Sequence, residues 1–228
     1  MDEPNFPQGI ARLIQRIESS LIQTFSPTSL RLGGGSVLQA RWDHRESTSI
    51  ELFVEPQSYN AVMFDRRCQL EQSLLQLEGV DPSRSWVDAN ATYLECAGVE
   101  VSLLPVASVK KIRHDFVVPR TKIGTDYTSS ILAQKLAYRM GGANIFEIRD
   151  LWDLYCATRY AESEFLDAVR FAGPRTSSSI CALLSILSPN QLAKTDKPLV
   201  GVSEHVVERE LISRVRDSIG KASLELDQ

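Results

Sequence analysis

The stretch that decides the fold is LGGGSVLQARWDHRESTSIELF, residues 32–53. A short strand at residues 30–32 runs into three glycines, a helical turn follows from Ser36, and residues 50–54 form a second, buried strand. Glycine lets a backbone approach phosphate oxygens closely, and the N–H groups that open a helix point toward an anion. The stretch therefore indicates a phosphate-binding turn, but the same pattern is also common as an ordinary turn without a ligand.

The chain on either side of this stretch predicts an α+β protein. Two strands at residues 92–96 and 99–104 are joined by the tight turn Ala97-Gly98, which is a strong hairpin signal. Apolar residues at helical spacing predict helices before and after these strands. Helices are expected at residues 10–21, 61–77, 126–142, 145–159, 163–171, 177–187 and 203–218.

The order of these elements predicts two domains. Strands occur only in the first half of the chain, and helices alone follow. We therefore expect a small mixed α/β domain at residues 1–125, a helical domain at residues 126–220 and a frayed tail at residues 221–228.

Composition limits the partners and the compartment. The 228 residues carry a formal net charge of -4, which does not indicate a strongly basic nucleic-acid binder. The first ten residues, MDEPNFPQGI, are acidic and do not resemble a secretory signal. No apolar run approaches the length of a membrane span. We expect a soluble, cytoplasmic protein without a membrane segment.

The deciding stretch resembles the signature of the nucleotidyltransferase superfamily, in particular the AbiEii/AbiGii-type toxins of type IV toxin–antitoxin systems. The family pattern is Gly-Gly-Thr/Ser-Ala-Leu, a nearby Arg, and then Arg-x-Ser-x-Asp-Ile-Asp-Leu. The matching residues of this chain are Gly34, Gly35, Ser36, Val37, Leu38, Arg41, Arg45, Ser47, Ile50 and Leu52.

A second motif strengthens the resemblance. The family places a lysine on a helix, an arginine one turn later, and then Arg-Asp-x-x-Asp-Leu. This chain has ILAQKLAYRMGGANIFEIRDLWDLYCA at residues 131–157. The matching residues are Lys135, Arg139, Arg149, Asp150, Asp153 and Leu154.

The resemblance implies a fold, an activity and partners. The fold is a nucleotidyltransferase-like small mixed sheet with helices, followed by a C-terminal helical region. The activity is Mg²⁺-dependent transfer of a nucleotide from an NTP to RNA or to a protein hydroxyl, and a cognate antitoxin is an expected partner. The residues implied in nucleotide binding are Gly34, Gly35, Ser36, Arg45, Ser47 and Lys135. Asp153 is implied in catalysis together with Lys135, which would contact the triphosphate.

The chain departs from the family at the two catalytic aspartates. Ser49 and Glu51 occupy those positions. Serine brings no negative charge to a metal ion, whereas glutamate keeps the charge one methylene further out. We expect Glu51 to act as a metal ligand, with Glu100 as a second ligand or as an exposed carboxylate on its strand. Two functions follow: an altered nucleotidyltransferase, or a catalytically inactive pseudoenzyme that binds a nucleotide or a partner protein.

The charged residues of these motifs also have simpler interpretations. Lys135 is also compatible with a solvated lysine on a helix, and Asp153 with a helix-capping group. His44 has no nucleophile or metal ligand at useful spacing, and we interpret it as a surface or locally bonded side chain.

Overall fold

The computed structural model describes residues 5–107, 116–192, 199–202 and 207–226. The chain divides into two compact units. The sheet unit comprises Met1–Asp43 and Ser47–Tyr127, and the helical unit comprises His44–Glu46 and Thr128–Gln228. Three residues from the middle of the deciding stretch therefore belong to the helical unit, which the sequence did not predict.

The sheet unit is built on a mixed sheet of six strands in the order β3-β4-β5-β2-β1-β6. The strands are β1 (Leu30–Gly33), β2 (Ser49–Val54), β3 (Trp86–Val87), β4 (Thr92–Cys96), β5 (Val99–Pro105) and β6 (Gly124–Thr125). Strand β2 pairs antiparallel with β1 and parallel with β5, while β4 and β5 form the hairpin. The predicted α+β class and the predicted hairpin are confirmed. The two-residue strands β3 and β6 are too short to leave a pattern in the sequence.

Four α-helices of the described residues belong to the sheet unit. They are α1 (Gln8–Leu21), α2 (Gly34–Trp42), α3 (Pro56–Asp65) and α4 (Arg67–Leu75). The single helix predicted at residues 61–77 is wrong, because the backbone leaves the helical region at Arg66 (φ -137°, ψ 20°) and separates α3 from α4. Helix α3 also begins earlier than predicted, since proline suits the first position of a helix.

The two faces of the sheet differ in polarity. On one face, Leu52, Leu94 and Val101 are buried and line a small cavity with Ile17 of α1 and Leu74 of α4. This apolar face is the core of the sheet unit. The alternate residues of the same strands point to the other side, because strand side chains alternate. That other side, the polar face, carries Ser49, Glu51, Tyr93, Glu100 and Ser102.

The helical unit contains α5 (Thr128–Ala133), a π-helix (Gln134–Gly142), α6 (Ile148–Tyr160), α7 (Glu162–Ile186), α8 (Pro189–Leu192) and α9 (Glu208–Leu226). Helix α7 bends at Gly173 (φ 80°), directly before Pro174, where two separate helices were predicted. Helix α9 continues through residues 221–226, which the sequence predicted to be frayed. Ala222 is buried, together with Val215 and Ile219, and this apolar stripe holds the last turns in place. None of the helices in the described residues has both the length and the apolarity that crossing a membrane requires.

Candidate functional site

The glycine turn between β1 and α2 lies directly against β2. A Cβ atom added to Gly33 would overlap the ring of Phe53, and one added to Gly34 would overlap the carboxylate of Glu51. Gly34 also has a φ of 66°, which side-chain-bearing residues rarely adopt. Glycine is therefore required here for two reasons, and its absence of a side chain places the Glu51 carboxylate beside the start of α2.

Serine side chains brace this turn and the approach to β2. The Ser36 hydroxyl is fully buried and donates a hydrogen bond to the Gly33 carbonyl oxygen at 3.2 Å. The Ser47 hydroxyl donates to the Ser49 carbonyl oxygen at 3.1 Å, and the Ser47 N–H donates to the Gln39 side chain at 2.8 Å. The predicted contacts of Ser36 and Ser47 with a nucleotide stay predictions, and in this structure both hydroxyls hold the backbone.

Two carboxylates lie on neighbouring strands of the polar face. Glu51 of β2 lies opposite Ser102 of β5, and Ser49 lies opposite Glu100. Glu51 and Glu100 are thus diagonal neighbours, about 7–8 Å apart at their Cα atoms and within reach of their long side chains. Burial raises the pKa of Tyr93 on β4, and the negative charges of Glu100 and Glu51 raise it further. These two carboxylates therefore share one electrostatic environment.

The donors on this face fit a magnesium ion only in part. Mg²⁺ is commonly held by one or two carboxylates together with oxygens of the substrate phosphates. Glu51 and Glu100 supply two carboxylates, and Ser49 supplies a hydroxyl. Within the described ranges, no three His, Cys, Asp or Glu side chains come close enough together to hold a metal ion. The arrangement thus suits an ion that arrives with a triphosphate better than an ion bound by protein alone.

A buried network of charges organises the helical unit around Asp153. The Arg45 guanidinium donates hydrogen bonds to both carboxylate oxygens of Asp153, at 2.6 and 2.8 Å. His44 Nε2 lies 2.7 Å from Oδ1, and Lys135 Nζ lies 3.1 Å from Oδ2. Burial by itself would raise the pKa of Asp153, but the charges of Arg45 and Lys135 and the hydrogen bonds from Arg45 and His44 hold it well below its usual range.

A second buried carboxylate extends the network. Asp150 lies one helical turn before Asp153 on α6, and its Oδ1 is 2.5 Å from Lys135 Nζ. Its Oδ2 is 2.8 Å from Arg139 Nε, and Arg139 also contacts Glu147 at 2.6 Å. Lys135 and Arg139 both lie in the π-helix, a rare form that is often found at functional sites. The lysine is therefore clamped between two fully buried carboxylates.

Residues 44–46 are held in the helical unit by backbone contacts as well. The indole N–H of Trp152 donates to the His44 carbonyl oxygen at 3.0 Å, and the Glu46 N–H donates to the Val200 carbonyl oxygen at 2.9 Å. The interpretation of His44 as a surface residue is wrong, since it is buried and bonded to Asp153. Sequence spacing could not show this, because the two residues are 109 positions apart.

The structure sorts the predicted site residues into two groups. Gly34, Gly35, Ser36, Ser47, Glu51 and Glu100 belong to the sheet unit. Arg45 and Lys135 both contact Asp153 in the helical unit. The predicted roles of these three residues in nucleotide binding and catalysis stay predictions.

Solved structures with a similar fold come from Helicobacter pylori. The chain is similar to a candidate nucleotidyltransferase of that organism with a TM-score of 0.57 and 14% identity, over 95% of this chain and 94% of that one. It is similar to JHP933 of the same organism with a TM-score of 0.53 and 12% identity, over 98% and 95% of the two chains. No family model and no curated protein matches the sequence. The protein therefore has a nucleotidyltransferase-like fold, and the narrower AbiEii assignment stays a prediction.

The glycine turn yields a first test. Gly34→Ala should lower the free energy of unfolding by more than about 1 kcal/mol, because the new Cβ meets the Glu51 carboxylate in a left-handed conformation. Gly98→Ala is the matched control, since Gly98 has a φ of 81° and open space around its Cα. Urea denaturation measures both. Equal losses in the two variants would contradict the close approach of Glu51 to the turn.

The buried network yields a second test. Lys135→Met should lower the free energy of unfolding by about 3–5 kcal/mol, because it leaves Asp150 and Asp153 short of a cation in the interior. Lys221→Met, which removes an exposed lysine 3.8 Å from Glu225, should cost at most about 1 kcal/mol. Similar values for the two variants in chemical denaturation would show that Lys135 is not part of a buried network.

The depressed pKa of Asp153 predicts a dependence of stability on pH. A carboxylate whose pKa is lower in the folded state stabilises the fold above its unfolded pKa of 3.8, and this contribution disappears as the pH falls toward the folded pKa. The stability difference between the natural protein and Asp153→Asn should therefore shrink between about pH 5 and pH 2. A difference that stays constant across this range in urea titrations would be inconsistent with the ion pairs described here.

Proposed function

We propose that this chain binds a nucleoside triphosphate on the glycine turn and transfers a nucleotide from it to a hydroxyl of RNA or protein, as AbiEii-type toxins are expected to do. The observation that carries the proposal is the position of Glu51. Its carboxylate lies against Gly34 at the start of α2, on the face of the sheet that also bears Glu100. Phosphate-binding backbone and acidic side chains thus meet at one place in the sheet unit.

The glycine turn supplies the phosphate-binding part. Helix α2 has nine residues, and its first N–H groups have no acceptor within the helix. Such groups attract anions, and the helix dipole adds to the attraction. Because Gly34 and Gly35 carry no side chains, an oxygen of the triphosphate can approach the backbone of the turn.

The acidic residues supply the part that orients the transferred group. Glu51 and Glu100 would hold Mg²⁺, which when bound neutralises phosphate charge and polarises the phosphorus–oxygen bonds. In the transfer, the acceptor oxygen bonds to the α-phosphorus while the bond from that phosphorus to the α–β bridging oxygen breaks. Pyrophosphate leaves with the electron pair, and the hydroxyl proton passes to water. Glu51 and the turn position the triphosphate for this displacement.

The buried network supports a structural role for the second motif. Arg45, Lys135 and Asp153 satisfy one another's charges within the helical unit. Contact between Lys135 and a triphosphate would require the lysine to exchange at least one of its two carboxylate partners, Asp150 or Asp153. We assign these residues to the architecture of the helical unit in the absence of a nucleotide.

A second candidate function is a pseudoenzyme that binds a nucleotide or a cognate antitoxin without catalysis. Two observations favour it. Ser49 brings no charge to the place where the family has an aspartate, and Lys135 is already neutralised by Asp150 and Asp153. The two candidates predict the same nucleotide-binding turn but different responses to metal.

Restoring the missing acid separates the two candidates. The double variant Ser49→Asp with Glu51→Asp should raise Mg²⁺-dependent transfer at least about tenfold, because two short carboxylates on one strand face rebuild a stronger metal site. The control is Ser49→Asn with Glu51→Asn, whose side chains have the shapes of the two aspartates and no charge. Labelling of RNA or protein with radioactive triphosphate measures transfer. If the natural protein already labels RNA or protein as strongly as the acidic double variant does, the hypothesis of a weakened metal site is refuted.

Calorimetric titration of the protein with a nucleoside triphosphate tests binding itself. The natural protein should bind with modest affinity, and Mg²⁺ should strengthen binding. Glu51→Ala should remove most of the gain from Mg²⁺ and leave metal-free binding equal or tighter, because a repulsive charge near the phosphates is lost. Glu71→Ala, a half-buried glutamate on α4, should behave like the natural protein.

One result of this titration would contradict the proposal. No detectable heat at about 1 mM triphosphate, with and without Mg²⁺, would refute the nucleotide-binding turn. Partner binding would then be the better account of the chain.

A further inference from the structure

Strand β2 extends beyond its antiparallel partner β1. The pairing of these two strands ends at Gly33 and Glu51, because the chain then turns into α2. Two positions before Glu51, among the described strands, Ser49 pairs only with β5, where it lies opposite Glu100. The part of β2 that carries Ser49 therefore lacks the second neighbouring strand that Glu51 has.

The side chain of Gln39 takes the place of that neighbouring strand. Gln39 lies in the second half of α2, and its Oε1 accepts a hydrogen bond from the Ser47 N–H at 2.8 Å. Because a backbone N–H can only donate, the amide of Gln39 must turn its oxygen toward Ser47. The Ser47 hydroxyl in turn donates to the Ser49 carbonyl oxygen at 3.1 Å. Two successive hydrogen bonds thus run from α2 to the first residue of β2.

We propose that Gln39 is a positioning residue of the metal site, and that it fixes position 49 relative to the glycine turn. Helix α2 contacts the segment that contains β2 at both of its ends. Glu51 lies against Gly34 at the start of the helix, and Gln39 binds Ser47 near its end. The inference rests on the proposed function for the metal-bound triphosphate, whereas the hydrogen bonds themselves do not depend on a ligand.

Gln39 should matter more for position 49 than for position 51. Glu51 is flanked by β1 and β5, so its backbone stays in place when a hydrogen bond at Ser47 is lost. Position 49 has only β5 beside it in the described sheet. A ligand that must first order one backbone residue there would bind about 5- to 30-fold more weakly. A metal ligand at position 49 should therefore depend on Gln39.

Amide hydrogen exchange of the full chain tests these hydrogen bonds without any ligand. Gln39→Met keeps the length of the side chain but has no acceptor oxygen, and it should speed exchange at residues 47–49 about fivefold or more. Residues 52–54, which are paired on both sides, should exchange as before. Gln39→Glu keeps an acceptor oxygen and should restore slow exchange. Gln72→Met, at an exposed glutamine of α4, is the matched control and should change nothing.

An acid at position 49 reports the effect on the metal site. In the Ser49→Asp variant with Glu51→Asp, adding Gln39→Met should weaken Mg²⁺-dependent triphosphate binding about 5- to 30-fold in calorimetric titration. In the natural protein the same change should have a smaller effect, because Ser49 brings no charge to the ion. A general loss of stability would act alike in both backgrounds, so the difference between them measures positioning. Ser47→Ala removes the second hydrogen bond and should give the same pattern if Gln39→Met does not fold.

The inference and the proposed function fail in different ways. Equal exchange at residues 47–49 in the natural protein and in Gln39→Met would overturn the inference. Mg²⁺-dependent triphosphate binding that Gln39→Met changes equally in both backgrounds, or not at all, would overturn it as well and uphold the proposed function. Faster exchange at residues 47–49 without triphosphate binding by any variant would refute the proposed function and uphold the hold of Gln39 on β2.

Discussion

The close approach of the glycine turn to strand β2 is the constraint on which the sheet unit depends. Phe53 and Glu51 occupy the space where side chains of Gly33 and Gly34 would otherwise lie. This contact fixes where α2 begins, and it seats a carboxylate beside N–H groups that favour an anion. An acidic side chain at a phosphate-binding turn is unfavourable for a phosphate alone, because like charges repel. It becomes favourable when a divalent cation lies between them, and the position of Glu51 in this way supports the proposal of a metal-bound triphosphate as the ligand.

The helical unit depends on a different interaction, the neutralisation of Asp153 and Asp150 in its interior. Removing two carboxylates from water is costly, and ion pairs with Arg45, Lys135 and Arg139 offset that cost. The motif residues are thus needed to fold this unit whether or not they ever contact a substrate. The loss of any one of these residues would leave a buried charge without its partner.

The sheet separates stability from chemistry by the alternation of its side chains. One face is apolar and packs on α1 and α4. The other face carries Ser49, Glu51 and Glu100, together with the aromatic residues Trp86 and Tyr93. Substitutions on the polar face can therefore change its chemistry without disturbing the apolar core. On the proposed function, the two carboxylates on adjacent strands would hold a metal ion together with oxygens of the triphosphate.

The sequence by itself determined the parts that depend on local pattern. Residues 32–53 predicted a strand, a glycine turn, a helix and a second strand. Ala97-Gly98 predicted the turn of the hairpin. The spacing of Ser49 and Glu51 placed both side chains on one face of their strand. Tertiary structure alone decided the rest. The bond between His44 and Asp153 joins residues 109 positions apart, and the alignment of Trp86 with Glu51 runs through three strand pairings. Such partners leave no periodic signal, because register and burial arise only when distant segments pack together and each charge must find its counter-charge away from water.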